Sequence, residues 1–144
     1  MAEKNDYVNR ELSWIEFNYR VLSEARDKST PLFDRLKFLS ITASNLDEFY
    51  MVRVASLKDM VHAKYAKKDI AGLTAKEQLD KISEKTHQLV DLQYSTYNRS
   101  LVPALKQNGL RIVMEHEDLT EDEAAFADEY FHKNVYPVLT PNGL

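Results

Sequence analysis

An all-α fold is predicted by the sequence: an antiparallel bundle of three or four helices, followed by a short strand-and-helix stub of a second, α/β domain. Apolar residues recur at the spacing of a helical stripe along most of the chain. Three capping boxes mark helix starts, and the 144 residues include only three glycines. This length suits one domain and part of another. We place the helical domain at residues 1–109 and the truncated start of a second domain at residues 110–144.

The first helix is expected from Ser13 to about Arg26. Ser13 and Glu16 have the spacing of a capping box, in which the hydroxyl accepts a hydrogen bond from an orphan amide and the carboxylate reaches back to the chain. Apolar side chains then recur at helical spacing, at Trp14, Phe17, Val21 and Ala25.

The next two helices are expected to be separate. Thr30 is a good N-cap, and Pro31 at the first helical position loses no hydrogen bond, so the second helix is expected from Pro31 to about Thr42. The third is expected from Ser44 to about Tyr65. The connections between these helices are short, which favours antiparallel neighbours.

A longer helix is expected to begin after Thr74, which forms a second capping box with Glu77. It reaches Asn108, with a kink or a break at Pro103, because proline lacks the amide hydrogen that a helix needs. Gly109 then suits the left-handed conformation that commonly ends a helix.

The residues after this helix change in character. Residues 110–113 are few and partly β-branched, which predicts a strand. A third capping box, Thr120 with Glu123, predicts a helix to about Tyr136. Residues 138–141 resemble the start of another strand with no turn after it, so we expect the chain to be a piece of a longer protein.

Composition excludes several classes of protein. A net charge of −4 argues against a general nucleic-acid binder. The absence of cysteine excludes disulfide frameworks, thiolate zinc sites and cysteine nucleophiles. Three dispersed glycines cannot build a Walker loop or a dinucleotide-binding loop. With no transmembrane segment and no signal peptide in the sequence, we expect a cytoplasmic protein, with peripheral attachment at the inner membrane as a further expectation.

No catalytic residue and no metal site is predicted. The four histidines are far apart in sequence, and none has the spacing of a metal-binding motif. The acidic residues at 115–129 are interpreted as a solvated surface, because helical periodicity distributes them around the axis. Residues 53–68 contain five basic side chains and one aspartate, which fits either an ordinary solvated surface or a face that attracts a polyanion.

Asn45 has two open interpretations. At a helix start, asparagine is among the best caps. The same helix end offers free amides and a positive dipole, and the adjacent donor and acceptor of the amide match the edge of a nucleobase. Asp47 and Glu48 are interpreted first as partners of that helix dipole, and second as metal ligands or bases.

Three segments, in order and closely spaced, carry a resemblance to a known family. They are residues 10–18 (RELSWIEFN), 35–41 (RLKFLSI) and 44–54 (SNLDEFYMVRV). Together they resemble the opening part of the histidine-phosphorylating polyphosphate kinase family. Residues 136–141 (YPVLTP) are similar to the passage into that family's second, head domain. The resemblance covers almost the whole chain and is weakest over residues 62–110.

The resemblance implies an enzyme that reversibly transfers the terminal phosphate of ATP to inorganic polyphosphate with Mg²⁺, through a phosphohistidine. In the family the histidines and metal ligands lie in two C-terminal domains, and none of this chain's histidines matches their motif. The fragment alone is therefore predicted to be inactive and to hold no cofactor tightly. The implied partners are ATP or ADP, inorganic polyphosphate and another subunit of the same enzyme.

The N-terminal domain of the family is a small helical bundle that covers the adenine side of the nucleotide pocket and contacts another subunit's head domain. The nucleotide-contacting asparagine of the family maps onto Asn45, and Leu46, Phe49 and Arg53 are further candidates to frame the base. Two alternatives stay open. One is a purely architectural docking or dimerisation domain, in which Asn45 only caps its helix. The other is an independent helical adaptor unrelated to phosphate.

Overall fold

The computed structural model describes residues 7–140. Helices supply its regular structure, and no strand occurs within those residues, so the predicted all-α fold is confirmed. The chain divides after Gly109 into two compact units, each treated by itself below. The helical elements are α1 (Arg10–Arg26), α2 (Leu32–Phe49), a π turn (Tyr50–Val54), α3 (Ala55–His62), α4 (Ala75–Thr96), a second π turn (Tyr97–Leu101), α5 (Val102–Gln107), a 3₁₀ turn (His116–Asp118), α6 (Glu121–Tyr130), a third π turn (Phe131–Val135) and a last 3₁₀ turn (Tyr136–Val138).

Three rods build the bundle of the first unit. The first rod is α1. The helices α2 and α3 join through their π turn into a second rod, residues 32–62, because the backbone stays right-handed helical at both junctions. In the same way α4, the second π turn and α5 form a third rod, residues 75–107.

Hydrogen bonds between the rods show that successive rods are antiparallel, as predicted. Between α1 and the second rod, such bonds join Ala25 to Arg35 and Asn18 to Asn45. Between the second and third rods, residue numbers rise along one rod as they fall along the other, in the pairs Arg35–Ser100, Thr42–Gln93 and Tyr50–Thr86.

The continuity of the second rod corrects the prediction of two separate helices. The predicted break between Thr42 and Ser44 does not exist, and α2 continues through both residues to Phe49. Serine and asparagine favour caps, but this preference is weak compared with tertiary packing. Here packing prevails, because an unbroken helix places Leu39 and Phe49 in the core together.

Two helix starts also differ from the prediction. Asn9, not Ser13, caps α1, and its Oδ1 accepts a hydrogen bond of 2.9 Å from the Leu12 amide. The earlier start adds a turn that packs Leu12 against the core. In the second rod Pro31 occupies the cap position without a side-chain hydrogen bond, so the helix begins one residue later than expected and Thr30 does not cap it.

The third rod follows its prediction closely. Thr74 and Glu77 form the expected capping box, with the Thr74 amide donating to the carboxylate at 2.8 Å. Pro103 does not break the rod. Pro103 has no N–H to donate, and it lies just after the second π turn. This turn widens the helix at the place where the proline removes a backbone hydrogen bond. Gly109 has a φ of +83° and ends the helix, as predicted.

Buried apolar residues form two clusters along the bundle. Burying each large aliphatic side chain stabilises the fold by about 1.5–3 kcal/mol. The two clusters thereby hold the rods together on either side of a layer of polar side chains. The first cluster contains Ile15, Phe49, Val54, Leu57, Ala75 and Ile82, and the second contains Leu22, Ala25, Leu39, Leu89 and Leu101.

The second unit is built around α6. Thr120 and Glu123 form the predicted capping box, and helical turns continue from α6 to Val138. The strand predicted at residues 110–113 is not formed, because an isolated segment has no partner strand with which to pair. Residues 139 and 140 form no strand either, and Pro141 lies outside the described residues. The assignment of this unit to the start of a head domain stays a prediction.

Candidate functional site

A layer of hydrogen-bonded polar side chains crosses the bundle between the two apolar clusters. The Asn18 amide donates to the Thr42 carbonyl at 3.0 Å, and Gln93 donates to the Thr42 hydroxyl at 2.9 Å. Asn45 donates to Asn18 Oδ1 at 3.1 Å and lies at the edge of the layer. We call Asn18, Thr42, Asn45 and Gln93 the polar layer.

The polar layer contains fully buried groups whose bonding needs are met. Asn18 and Thr42 are 0% exposed, and no described side chain has a buried polar atom without a partner. Because an unpaired buried amide is costly, this network favours one register of the three rods. The periodicity argument placed the apolar stripe of the first helix at Trp14, Phe17, Val21 and Ala25 and so missed Asn18. In the structure Phe17 is exposed, and the buried face of α1 contains Ile15, Asn18 and Leu22.

Asn45 lies in the middle of a helix and not at a helix start. The cap interpretation is therefore wrong, and so are the free amides and positive dipole expected beside it. The same correction applies to Asp47 and Glu48, which stand far from any helix N-terminus. The group of Asn45 that could still contact a ligand is its side-chain amide. The residue is half-buried. One N–H is used by Asn18, whereas Oδ1 accepts no hydrogen bond from the described residues.

The second rod widens directly after this region. In the first π turn, the Ala55 amide bonds back to the Tyr50 carbonyl. Single π turns inside α-helices occur frequently at functional sites. The Tyr50 hydroxyl lies 2.8 Å from the Thr86 hydroxyl and so fastens the turn to α4. This turn could not be predicted, because nothing in the composition of residues 50–54 distinguishes it from ordinary helix.

The three other candidate residues have different surroundings. Phe49 is 2% exposed and stacks on Trp14 with ring centroids 4.4 Å apart, so it is a core residue, and its part in framing the base stays a prediction. Leu46 is half-buried and packs against both apolar clusters. Arg53 lies on the π turn, is exposed, and forms no ion pair with the described residues.

An apolar groove runs between the second and third rods. Its volume is about 310 Å³, and a second hollow of about 290 Å³ shares Leu46, Asp47 and Val90 with it. We call the larger one the α2–α4 groove. It is lined by Leu39, Ala43, Leu46, Asp47, Val90, Gln93, Tyr94 and Tyr97.

The basic residues of segment 53–68 do not share one hollow. Lys67 and Lys68 line a cavity of about 480 Å³ together with Arg10, whereas Arg53 and Lys64 do not line it. The structure thus brings together only part of the face that the sequence suggested.

Asp69 closes the loop beside this cavity. Its carboxylate accepts hydrogen bonds from Asn9 Nδ2 at 2.6 Å and from the amides of Leu73 and Ala71 at 2.8 and 3.0 Å. Burial opposes the charge, but these donors outweigh burial and hold the pKa of Asp69 below its ordinary value of 3.8. The Asp69 carboxylate thus accepts the hydrogen bonds that close the loop.

Two kinds of feature are absent from residues 7–140. No three histidine, aspartate or glutamate side chains within that range converge to hold a metal ion. No helix there is both long and apolar enough to cross a bilayer. His116 pairs with Asp128 at 3.1 Å, and His87 lies 2.6 Å from the Ser83 carbonyl.

Comparisons with known proteins agree with one another. Residues 7–113 match the family described as polyphosphate kinase N-terminal domain. A polyphosphate kinase of Lactiplantibacillus plantarum is 54% identical over 135 residues, 94% of this chain and 19% of that protein. One from Bacillus anthracis is 52% identical over 136 residues, with the same shares covered. The crystal structure of polyphosphate kinase from Porphyromonas gingivalis superposes with a TM-score of 0.72 at 34% identity, over 91% of this chain and 18% of that one.

Proposed function

The chain belongs to the polyphosphate kinase N-terminal domain family, and from this membership we propose that it forms the adenine side of the ATP pocket in a polyphosphate kinase. That enzyme transfers the terminal phosphate of ATP reversibly to inorganic polyphosphate. The chain spans about a fifth of the length of the relatives named above, so the proposal assigns the phosphoryl chemistry to other parts of the enzyme. This bundle serves catalysis by orienting the nucleotide.

The state of the Asn45 amide carries this proposal. Its Oδ1 is free to accept a hydrogen bond from the 6-amino group of adenine, and one N–H remains for an adenine ring nitrogen. Asn18 holds the amide in place from behind, which limits the rotamers that binding would otherwise have to fix.

The neighbouring candidates complete the proposed site in different ways. Leu46 and Phe49 act as positioning residues, since both pack inside the bundle and fix the second rod. Arg53 is exposed on the π turn and supplies a positive charge near the nucleotide. Mg²⁺ enters as the ion that accompanies ATP, because the described residues offer no convergent set of ligands for it.

An NMR titration of the isotope-labelled chain tests this function. ATP is expected to shift the side-chain amide signals of Asn45 and the backbone signals of the π turn in a saturable way. Inorganic tripolyphosphate is the control, because it carries the phosphates without the base, and it should leave the Asn45 signals unchanged. Equal shifts from both ligands, or no shift at Asn45 in the folded chain, would refute adenine recognition by this residue. Incubation of the same chain with ATP should yield no polyphosphate.

A purely architectural domain is the second candidate, and the bond from Asn45 to Asn18 favours it. In that case Asn45 serves only to align α1 with the second rod. Replacing Asn45 with alanine should then lower the free energy of unfolding by about 1 kcal/mol. The affinity of the folded chain for ATP should not change. Replacement of the exposed neighbour Ser44 with alanine is the matched control for the unfolding measurement.

A further inference from the structure

A basic pocket lies on the bundle between the end of α1 and the third rod. Its volume is about 240 Å³. Three basic side chains and three hydroxyl groups line it. The lining residues are Arg26, Lys28, Ser95, Thr96, Arg99 and Ser100.

A buried arginine lies directly behind this pocket. Arg35 is 6% exposed, and its guanidinium donates to the Ala25 carbonyl at 2.9 Å and to the Ser100 hydroxyl at 2.8 Å. No carboxylate of the described residues lies within ion-pairing distance of it. A buried charge without an opposite charge is costly, and Ser100 links this one to the pocket.

The acidic group next to the pocket does not neutralise it. Asp27 stands between Arg26 and Lys28 in sequence, but its carboxylate accepts two bonds from Ser29, through the amide and the hydroxyl, each 2.8 Å long. These bonds are the main reason why the pKa of Asp27 is lowered, and Arg35 contributes least. Three basic side chains line the pocket, Arg35 lies behind it, and none of the lining residues is acidic, which favours an anion there.

We propose that this pocket binds the phosphoryl groups of an inorganic phosphate chain. Guanidinium groups bind phosphate oxygens in pairs through their planar fork. The hydroxyls of Ser95 and Ser100 can donate to the remaining oxygens, whereas the Thr96 hydroxyl already donates to a backbone carbonyl. Phosphate oxygens would thereby place negative charge beside Arg99 and, across Ser100, near the buried Arg35. The volume accepts a four-oxygen phosphoryl group with room for the next unit of a chain.

This pocket is distinct from the proposed adenine site. Arg35 precedes Asn45 by ten residues on the same rod, which corresponds to about 15 Å along a helix. A phosphate chain at this pocket would therefore run along the outside of the bundle. The triphosphate of a nucleotide has the same chemistry, so the experiment must separate the two sources.

Calorimetric titration of the chain with sodium tripolyphosphate tests the inference. We expect saturable binding that weakens about tenfold in Arg99→Gln and further in the double variant Arg26→Gln/Arg99→Gln. Arg99 is exposed, and the bond from Arg26 to Thr96 is 3.5 Å long, so both variants should fold. Lys76→Gln is the matched control, because it removes the same charge from an exposed site at the other end of α4 and should bind like the wild type.

Two further measurements distinguish an inorganic phosphate chain from the triphosphate of a nucleotide. Adenosine, which has no phosphate, should not displace tripolyphosphate, and Asn45→Ser should leave tripolyphosphate affinity unchanged. The inference fails if binding does not saturate, if Lys76→Gln weakens it as much as Arg99→Gln, or if adenosine displaces the ligand. Since the probe contains no nucleotide, this result does not depend on whether Asn45 recognises adenine.

Discussion

The Asn45 side chain occupies a costly position. Asparagine in a helix interior is less favourable than alanine by up to about 0.7 kcal/mol, and a half-buried amide needs partners. The single bond to Asn18 satisfies one donor and leaves Oδ1 open to a ligand. A residue that is suboptimal for its helix, yet presents a fixed acceptor, is typical of a binding position.

Asp69 is expected to make the free energy of unfolding depend on pH. Asp69→Asn keeps the shape of the side chain and removes the charge that the donors of the loop stabilise, so the free energy of unfolding at pH 7 should fall by about 1–3 kcal/mol. The folded carboxyl has the lower pKa. Its contribution is therefore complete above about pH 4 and disappears as the pH falls through the folded pKa.

Urea unfolding of the wild type and Asp69→Asn at pH 7 and at pH 3 measures this effect. The difference between the two proteins should be smaller at pH 3. Asp80→Asn, at an exposed position of α4, is the control and should show little difference at either pH. A difference for Asp69→Asn that is as large at pH 3 as at pH 7 would show that charge plays no part in closing the loop.

The second rod is the element that determines the surroundings of Asn45, because its continuity places this residue inside a helix. Ser44→Pro should lower the free energy of unfolding by about 3 kcal/mol, since proline in a helix interior removes a hydrogen bond and clashes with the preceding turn. At the start of a separate helix, the same proline would be tolerated.

Lys76→Pro provides the comparison for Ser44→Pro. Lys76 is the second residue of α4, where proline removes no intrahelical bond, and its cost in urea unfolding should be much smaller. If both variants unfold at similar urea concentrations, the second rod is not one continuous helix.

Sequence patterns predicted those elements whose ends have local chemical causes. The capping boxes at Thr74 and Thr120 and the left-handed Gly109 depend on residues a few positions apart, and all three are found. The continuation of α2 through Ser44 and Asn45 was not predictable in this way. There, packing of distant core residues outweighs local cap preference.

The candidate site was predictable only in part for a related reason. Asn45 was identified through the resemblance of its segment to a family, while the chemical argument for it assumed a helix end that does not exist. Asn45 contacts Asn18, which lies on another rod and is far from it in sequence. The π turn that follows Asn45 depends on a local widening of the backbone. Hydrophobic periodicity contains neither kind of information.

At the scale of the whole molecule, contact with another subunit stays a prediction, and the α2–α4 groove is a surface at which it can be tested. Tyr94 lines it and is 65% exposed, so Tyr94→Asp should leave the bundle folded and place a charge in the contact. In the full-length enzyme, sedimentation should then show smaller species at micromolar concentration. Phe33→Asp, at an equally exposed aromatic outside the groove, should keep the wild-type assembly; dissociation in both variants, or in neither, would contradict this prediction.

The most direct test of adenine recognition combines a protein change with a substrate change. In the full-length enzyme, kcat/KM is measured for ATP and for purine riboside triphosphate, which lacks the 6-amino group, in the wild type and in Asn45→Ala. We predict that the wild type prefers ATP by about tenfold and that Asn45→Ala loses this preference by acting more slowly on ATP alone. An equal loss of kcat/KM for both nucleotides would contradict contact between Asn45 and the base, and would leave this residue with an architectural role only.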